Sequence, residues 1–200
     1  MNFYHIAIER EYGSGATEIG QKLAQKTGME FYGKELLELA AAEMNTTPAE
    51  LQRLEEKSIN SLLYTVEMLS RMQQGEVEGL PGNGVLHITE RKIIQEAAKY
   101  KSSIFIGRSA VCSLNDRTDV LRVFIKSDRE HRRKRAVQEY GIPAEDADST
   151  LRKMDKRRAN YFFSNTGHKW ADPDNYDIIL DSGQLGIDRC VDILSNFFTY

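Results

Sequence analysis

Three groups of residues in this 200-residue chain could handle a phosphate. The first is Arg10-Glu11-Tyr12-Gly13-Ser14-Gly15-Ala16-Thr17, a glycine turn that feeds a helix-forming stretch. Such a turn offers an anion free backbone N–H groups and the positive end of a helix dipole. Its glycines let the backbone come close and take positive φ. The segment departs from G-x-x-x-x-G-K-[ST] at two positions, with Arg10 for the first glycine and Ala16 for the lysine. A plain strand-to-helix turn is the competing reading. The second group is Gly107-Arg108-Ser109-Ala110. The planar fork of Arg108 suits phosphate or carboxylate. Pairing at the surface with Asp116 or Asp119 is the alternative. The third group is basic. Arg129, Arg132, Arg133, Lys134 and Arg135 are followed by Arg152, Lys153, Lys156, Arg157 and Arg158, within a chain holding 27 Lys and Arg in all. At helical spacing Arg132 aligns with Arg135, and Lys153 with Lys156 and Arg157. An anionic target accounts for this concentration, and a solvated face is the plainer account. The aromatics Tyr161, Phe162, Phe163 and Trp170 could stack nucleic-acid bases, or fill a core.

The elements that must position these groups read as an α/β alternation. Phe3 to Ile8 is a short apolar run rich in strand formers, and Thr17 to Lys26 has helical spacing. Glu30 to Tyr32 reads as a second strand and Lys34 to Met44 as a helix. Thr47-Pro48-Ala49-Glu50 is a capping box with proline at the first helical position. That helix, or a pair, extends towards Met72. Gly75 to Gly84, with four glycines and a proline, reads as a loop. Ile88 to Lys101 is helical, Ser103 to Ile106 a strand stopped by Gly107, and Val120 to Ile125 another strand. Ser127 with Glu130 forms a second capping box, opening a helix to about Tyr140. Pro143 starts a helix to Tyr161, Asp172 to Asn175 is a turn, Tyr176 to Leu180 a last strand, and Gly186 to Phe198 a last helix. Asp181-Ser182-Gly183 reads as a loop start.

Five apolar strands separated by helices predict a mostly parallel sheet with right-handed crossovers. Ligands in such sheets bind beyond the carboxyl ends of the strands, which is where Arg10 to Thr17 and Gly107-Arg108 fall. Composition agrees, with 40% hydrophobic and 28% charged residues. That excludes disordered and collagen-like chains, and no run approaches the roughly 20 apolar residues of a membrane span. The net charge of −3 argues against a surface built throughout for nucleic acid. The two cysteines and four histidines show no metal spacing, and no Ser/His/Asp constellation is evident. The expectation is a cytoplasmic protein without a membrane partner, its oligomeric state open.

With the segments laid out, the chain resembles the cytidylate-kinase-like family of P-loop nucleoside monophosphate kinases. The likeness runs from Ile6 to about Ile193 through EREYGSGATEIG, EFYGKELLELAA, FIGRSA, VLRVFI, DKRRANYF and YDIILDSGQLGID. It implies a three-layer P-loop-type α/β fold with a five-stranded parallel sheet in the order 2-3-1-4-5. It implies a core over 1–33, 88–150 and 172–200, acceptor-binding helices over 34–87 and a basic lid over 151–171. The phosphate loop maps to Arg10, Gly13, Ser14, Gly15, Ala16 and Thr17. Tyr32, Lys34, Gly107 and Arg108 map to acceptor binding, and Arg132, Arg157 and Arg158 to the catalytic arginines.

What the resemblance implies is transfer of the ATP γ-phosphoryl group, with Mg²⁺, to CMP or dCMP. Well-characterised cytidylate kinases carry the loop lysine where Ala16 stands, and an aspartate where Ser109 follows Gly-Arg. Phosphoryl transfer asks chiefly for alignment, a metal and positive charge. Arg10 or the lid arginines could supply the charge, and Thr17 or Ser14 the hydroxyl facing Mg²⁺. A kinase for another small metabolite and a nucleotide-binding regulatory domain are the alternative readings.

Overall fold

The structure, a computed structural model, describes residues 3–56, 70 and 82–198. The strands β1 (His5–Arg10), β2 (Glu30–Tyr32), β3 (Ser103–Ile106), β4 (Val120–Lys126) and β5 (Ile178–Asp181) form one sheet. Its order is β2-β3-β1-β4-β5 and every pairing is parallel. This is the P-loop-type α/β arrangement. Helix α1 (Ala16–Thr27) follows β1 directly, and α2 (Glu35–Glu43) and α3 (Pro48–Glu56) follow β2. Next come α4 (Gly82–Tyr100), α5 (Ala110–Ser113), α6 (Arg129–Gln138), α7 (Ala147–Thr166), α8 (Ser182–Leu185) and α9 (Ile187–Ser195).

Side chains alternate along a strand, so β1 feeds two cores. Ile6 and Ile8 join Ile19 and Leu23 of α1 with Cys190 and Leu194 of α9. Ala7 faces the other layer, where Ile94 of α4, Phe105, Phe124, Phe162 of α7 and Trp170 meet. Glu9 continues the Ala7 side, so the carboxyl end of β1 delivers a charged residue beneath α7. Leu37, Ala40, Leu51 and Leu86 make a smaller cluster that seats α2 and α3 against α4.

The Thr47 capping box forms as read. Glu50 N–H donates to Thr47 Oγ1 at 3.3 Å, and Thr47 N–H to Glu50 Oε2 at 3.3 Å. Several boundaries differ. Asp128, not Ser127, caps α6, its carboxylate accepting from Glu130 N–H at 2.9 Å and His131 N–H at 3.0 Å. Ser127 N–H turns away to Glu11 Oε2 at 3.0 Å. Pro143 opens a turn, closed by Asp146 N–H to Pro143 O at 3.0 Å, and α7 starts at Ala147. That helix runs on to Thr166 because Phe162 and Ser164 are buried on the core. Gly82 to Gly84 belong to α4 rather than to a loop, and Ser182–Leu185 is a short helix capped by Asp181. The expected helix beyond Glu56 and the remainder of the glycine-rich segment lie outside the described residues. Among the described residues no helix is long and apolar enough to cross a membrane.

Candidate active site

Gly13 and Gly15 take φ of +83° and +76°, which folds the backbone between β1 and α1 into a tight turn. Gly15 is the N-cap of α1 and no side chain seals that end. Arg10, Glu11, Tyr12, Gly13, Gly15, Ala16 and Thr17 line a cavity of about 270 Å³, closed on its far side by Tyr140 and Arg158. The first-turn N–H groups of a helix have no partners within it, so this end of α1 is open to an anion. The loop is held from behind. Ser14 Oγ–H donates to Glu11 O at 2.9 Å, and Ser182 Oγ–H to Ser14 O at 2.6 Å.

A second cavity of about 340 Å³ opens between the ends of β1 and β3, helices α2 and α3, and α7. Glu9, Arg10, Lys34, Glu55, Arg108, Ser109, Arg157, Arg158 and Tyr161 line it. The turn after β3 is unusual. Gly107, Arg108 and Ser109 all occupy the left-handed region, at φ of +71°, +58° and +53°. Two of them are not glycine, a conformation that persists only where the surroundings enforce it. The turn swings Arg108 inward onto two carboxylates. Arg108 pairs with Glu55, and its Nε lies 3.6 Å from Glu90 Oε1. Tyr161 Oη–H donates to Glu90 Oε2. Burial pushes the Glu90 carboxyl up to about 8 against that hydrogen bond. Next to Gly107 lies the Arg10 guanidinium, so near that a Cβ there would fall 1.9 Å from Nη1. Burial lowers the Arg10 and Arg158 guanidinium pKa values, and Arg10's charge lowers Arg158's further. Clustered cations of this kind are the environment that an anion relieves.

Arg10 and Arg158 line both cavities. Arg158 Nη1 donates to Arg10 O at 2.8 Å, and its guanidinium lies 5.4 Å from the centre of the Tyr12 ring. Two cavities thus meet at a wall of two arginines, one cavity over a helix N-terminus and the other among acids and bases.

Residues 5–184 match the cytidylate kinase-like family. The chain belongs to that family. No curated protein matches it. Among solved structures, an uncharacterized protein from Eubacterium ventriosum is 25% identical, covers 97% of both chains and superposes with a TM-score of 0.69. A shikimate kinase from Bacteroides thetaiotaomicron is 16% identical over 96% of each chain, TM-score 0.51. A shikimate kinase from Acinetobacter baumannii, solved in complex with shikimate, is 16% identical, covering 97% of this chain and 94% of its own, TM-score 0.51. The last two share the fold with this cytidylate kinase-like chain.

The residues read from the sequence divide three ways in this family member. Arg10, Gly13, Gly15, Ala16 and Thr17 line the loop cavity, while Ser14 is buried behind it. Lys34, Arg108, Arg157 and Arg158 converge on the second cavity. Arg108 does not pair with Asp116 or Asp119; Arg117 takes Asp119 at 2.6 Å. Tyr32 stands apart. Its hydroxyl donates to Glu30 Oε2 at 2.7 Å, its ring stacks on Phe105, and it lines a different surface cleft. Arg132 is also outside both cavities. Its Nη1 donates to Asp155 Oδ2 at 2.5 Å and to Tyr12 O at 3.3 Å, and its Nε lies 3.6 Å from Glu11 Oε2. It braces the loop. Glu9, Glu55 and Glu90 were not foreseen, because a carboxylate in a helix or strand looks solvated until the packing buries it; Tyr161, read as a base-stacking or core aromatic, is buried at the cavity wall and donates to Glu90.

Membership of a kinase-like family implies a nucleotide. The open N-terminus of α1 and the inward Arg10 fit its phosphates. Among the described residues no group of three His, Cys, Asp or Glu side chains could hold a metal. Magnesium keeps several waters and leans on substrate phosphates, so its use does not require such a group.

Proposed function

We propose that this chain transfers the γ-phosphoryl group of ATP to a small anionic acceptor. The observation that carries the reading is the shared wall. Arg10 and Arg158 line both the cavity over the glycine loop and the cavity below α7. The triphosphate takes the first cavity, where Gly13, Gly15 and Ala16 present backbone to it and Thr17 faces Mg²⁺. Bound there, Mg²⁺ supplies charge neutralisation on the phosphate oxygens. The acceptor takes the second, with Lys34, Gly107, Arg108 and Arg157 around it. The two shared guanidiniums stabilise the negative charge spread over the equatorial oxygens of the transferred group. They stand in for the lysine that Ala16 replaces. Segment 151–171 acts as a lid, a reading supported by the hydrogen bonds from Tyr12 N–H to Asp155 and from Arg158 to Arg10 O, and its closure excludes water from the transfer.

The acceptor that the family resemblance implies is CMP or dCMP. One observation favours another metabolite. The cavity wall carries Glu9 and Glu55, and Ser109 in place of aspartate. Initial-rate assays of ADP release with ATP, Mg²⁺ and a panel of nucleoside monophosphates and other small anions test the reading. Turnover above the acceptor-free rate is expected for at least one acceptor class. ATP that binds without any turnover would instead make the chain a nucleotide-binding regulator.

A further inference from the structure

Glu9 stands where a carboxylate works against anion binding. It is 4% exposed and lines the acceptor cavity beside Arg10, Arg108 and Arg158. Its Oε2 accepts a hydrogen bond from Trp170 Nε1 at 3.2 Å and lies 3.8 Å from Arg10 Nη1. Its Oε1 has no hydrogen-bond partner. An indole N–H can only donate, so Trp170 holds the group as an acceptor. Arg10, Arg158 and the Ser109 N–H favour the ionised form, against burial, which opposes it more strongly. Glu9 thus has capacity to accept a proton and adjoins the arginine wall where transfer takes place.

That capacity discriminates between acceptors. A phosphate monoester has its second pKa near about 6, is already ionised at neutral pH and needs no base. A carboxylate beside it only repels. A hydroxyl must shed its proton as the new P–O bond forms, and a carboxylate that accepts this proton is a recurring part of kinase sites. Glu55, the other acid of the cavity, and the buried Glu90 do not serve. Glu55 and Glu90 are committed to Arg108, and Glu90 also to Tyr161.

We propose that Glu9 is the general base of this site, and that the acceptor is a small anionic metabolite phosphorylated on a hydroxyl. The proposal rests on the kinase reading above and narrows its acceptor. The hydroxyl oxygen attacks the γ-phosphorus while its proton passes to the Glu9 carboxylate. The bond from γ-phosphorus to the bridging oxygen breaks, and ADP departs with that electron pair. Glu9 then returns the proton to solvent. Lys34 and Arg157 face the acceptor's own anionic group.

The experiment measures ADP release from ATP and Mg²⁺ with three probes, using wild type, Glu9→Gln and Glu9→Asp. The probes are water alone, CMP with dCMP, and a set of hydroxy acids and sugar phosphates that carry a free hydroxyl. The hydroxyl set should exceed the water rate, and CMP and dCMP should not. Glu9→Gln should lower kcat by about 10²–10⁴-fold with the KM for ATP unchanged, the range for loss of a general base. Wild type should show a solvent deuterium isotope effect on kcat. Glu9→Asp keeps the charge with a shorter reach, so it should recover part of the rate, and it serves if the Gln variant does not fold. Preference for CMP, or full kcat in Glu9→Gln, would overturn the base while leaving a kinase. No ADP release with any probe would overturn both.

Discussion

The carboxylate of Asp155, in the middle of α7, accepts a hydrogen bond from the backbone N–H of Tyr12 at 2.7 Å. Its other oxygen accepts from Arg132 Nη1 at 2.5 Å. One α7 acid thus occupies the Tyr12 N–H, a group of the glycine loop that a triphosphate could use, together with the arginine that braces the loop. Asp155→Ala should lower stability by about 1–3 kcal/mol, the cost of stranding charged hydrogen-bond partners. It should also tighten binding of a non-hydrolysable ATP analogue. Urea unfolding and titration calorimetry on the same preparation give the two signs, and weaker nucleotide binding would contradict the competition.

Gly107→Ala puts a methyl into the space of the Arg10 guanidinium, in a left-handed backbone conformation that disfavours side chains. The left-handed backbone alone costs about 1–2 kcal/mol. Arg10 must also move, so the variant should lose turnover beyond what its stability loss explains. Restored kcat in folded Gly107→Ala would show that Arg10 does not need this position.

Arg157 and Arg158 should separate. Arg158 belongs to both cavities and Arg157 only to the one among the acids and bases. Arg158→Ala should cut kcat by about 10³–10⁵, the range for an arginine acting on the transferred group. Arg157→Ala should chiefly raise the KM of the acceptor. Equal effects on kcat would remove the distinction that the shared wall makes.

Stability should depend on pH from both sides. Burial holds the His87 imidazole down at about 3, against an ordinary 6.5. Between these values the unfolded chain binds a proton that the folded one does not, so stability falls as pH falls. Burial holds Glu90 up at about 8, against 4.5. Between these values the folded chain keeps a proton that the unfolded one has lost, so stability falls as pH rises. The two contributions oppose each other between 4.5 and 6.5. Below and above that interval each acts alone, by up to about 1.4 kcal/mol per pH unit. Glu90→Gln should reduce the loss on the alkaline side and leave the acid side intact. Chemical denaturation from about pH 3 to about pH 9 reads both arms.

The strands, the glycine turn and the clusters of basic residues near the site were legible in the chain itself, while the sheet order came from the family resemblance. Buried parallel strands need unbroken apolar runs, and Phe3 to Ile8, Ser103 to Ile106 and Val120 to Ile125 carry them whatever surrounds them. Gly13 and Gly15 announce positive φ because few other residues adopt it cheaply. Helix ends were read less well where two caps competed, as Asp128 did with Ser127, since a cap is decided by which oxygen reaches the free N–H groups. The partners of the charged residues were decided only by tertiary structure. Arg132 and Arg158 come from two neighbouring basic clusters in the sequence, yet one braces the loop against Asp155 and the other faces the site. Glu9 resembles any strand-end acid until Trp170, 161 residues later, closes over it. Electrostatic roles depend on distance and burial, and a chain sets those for residues far apart only by folding.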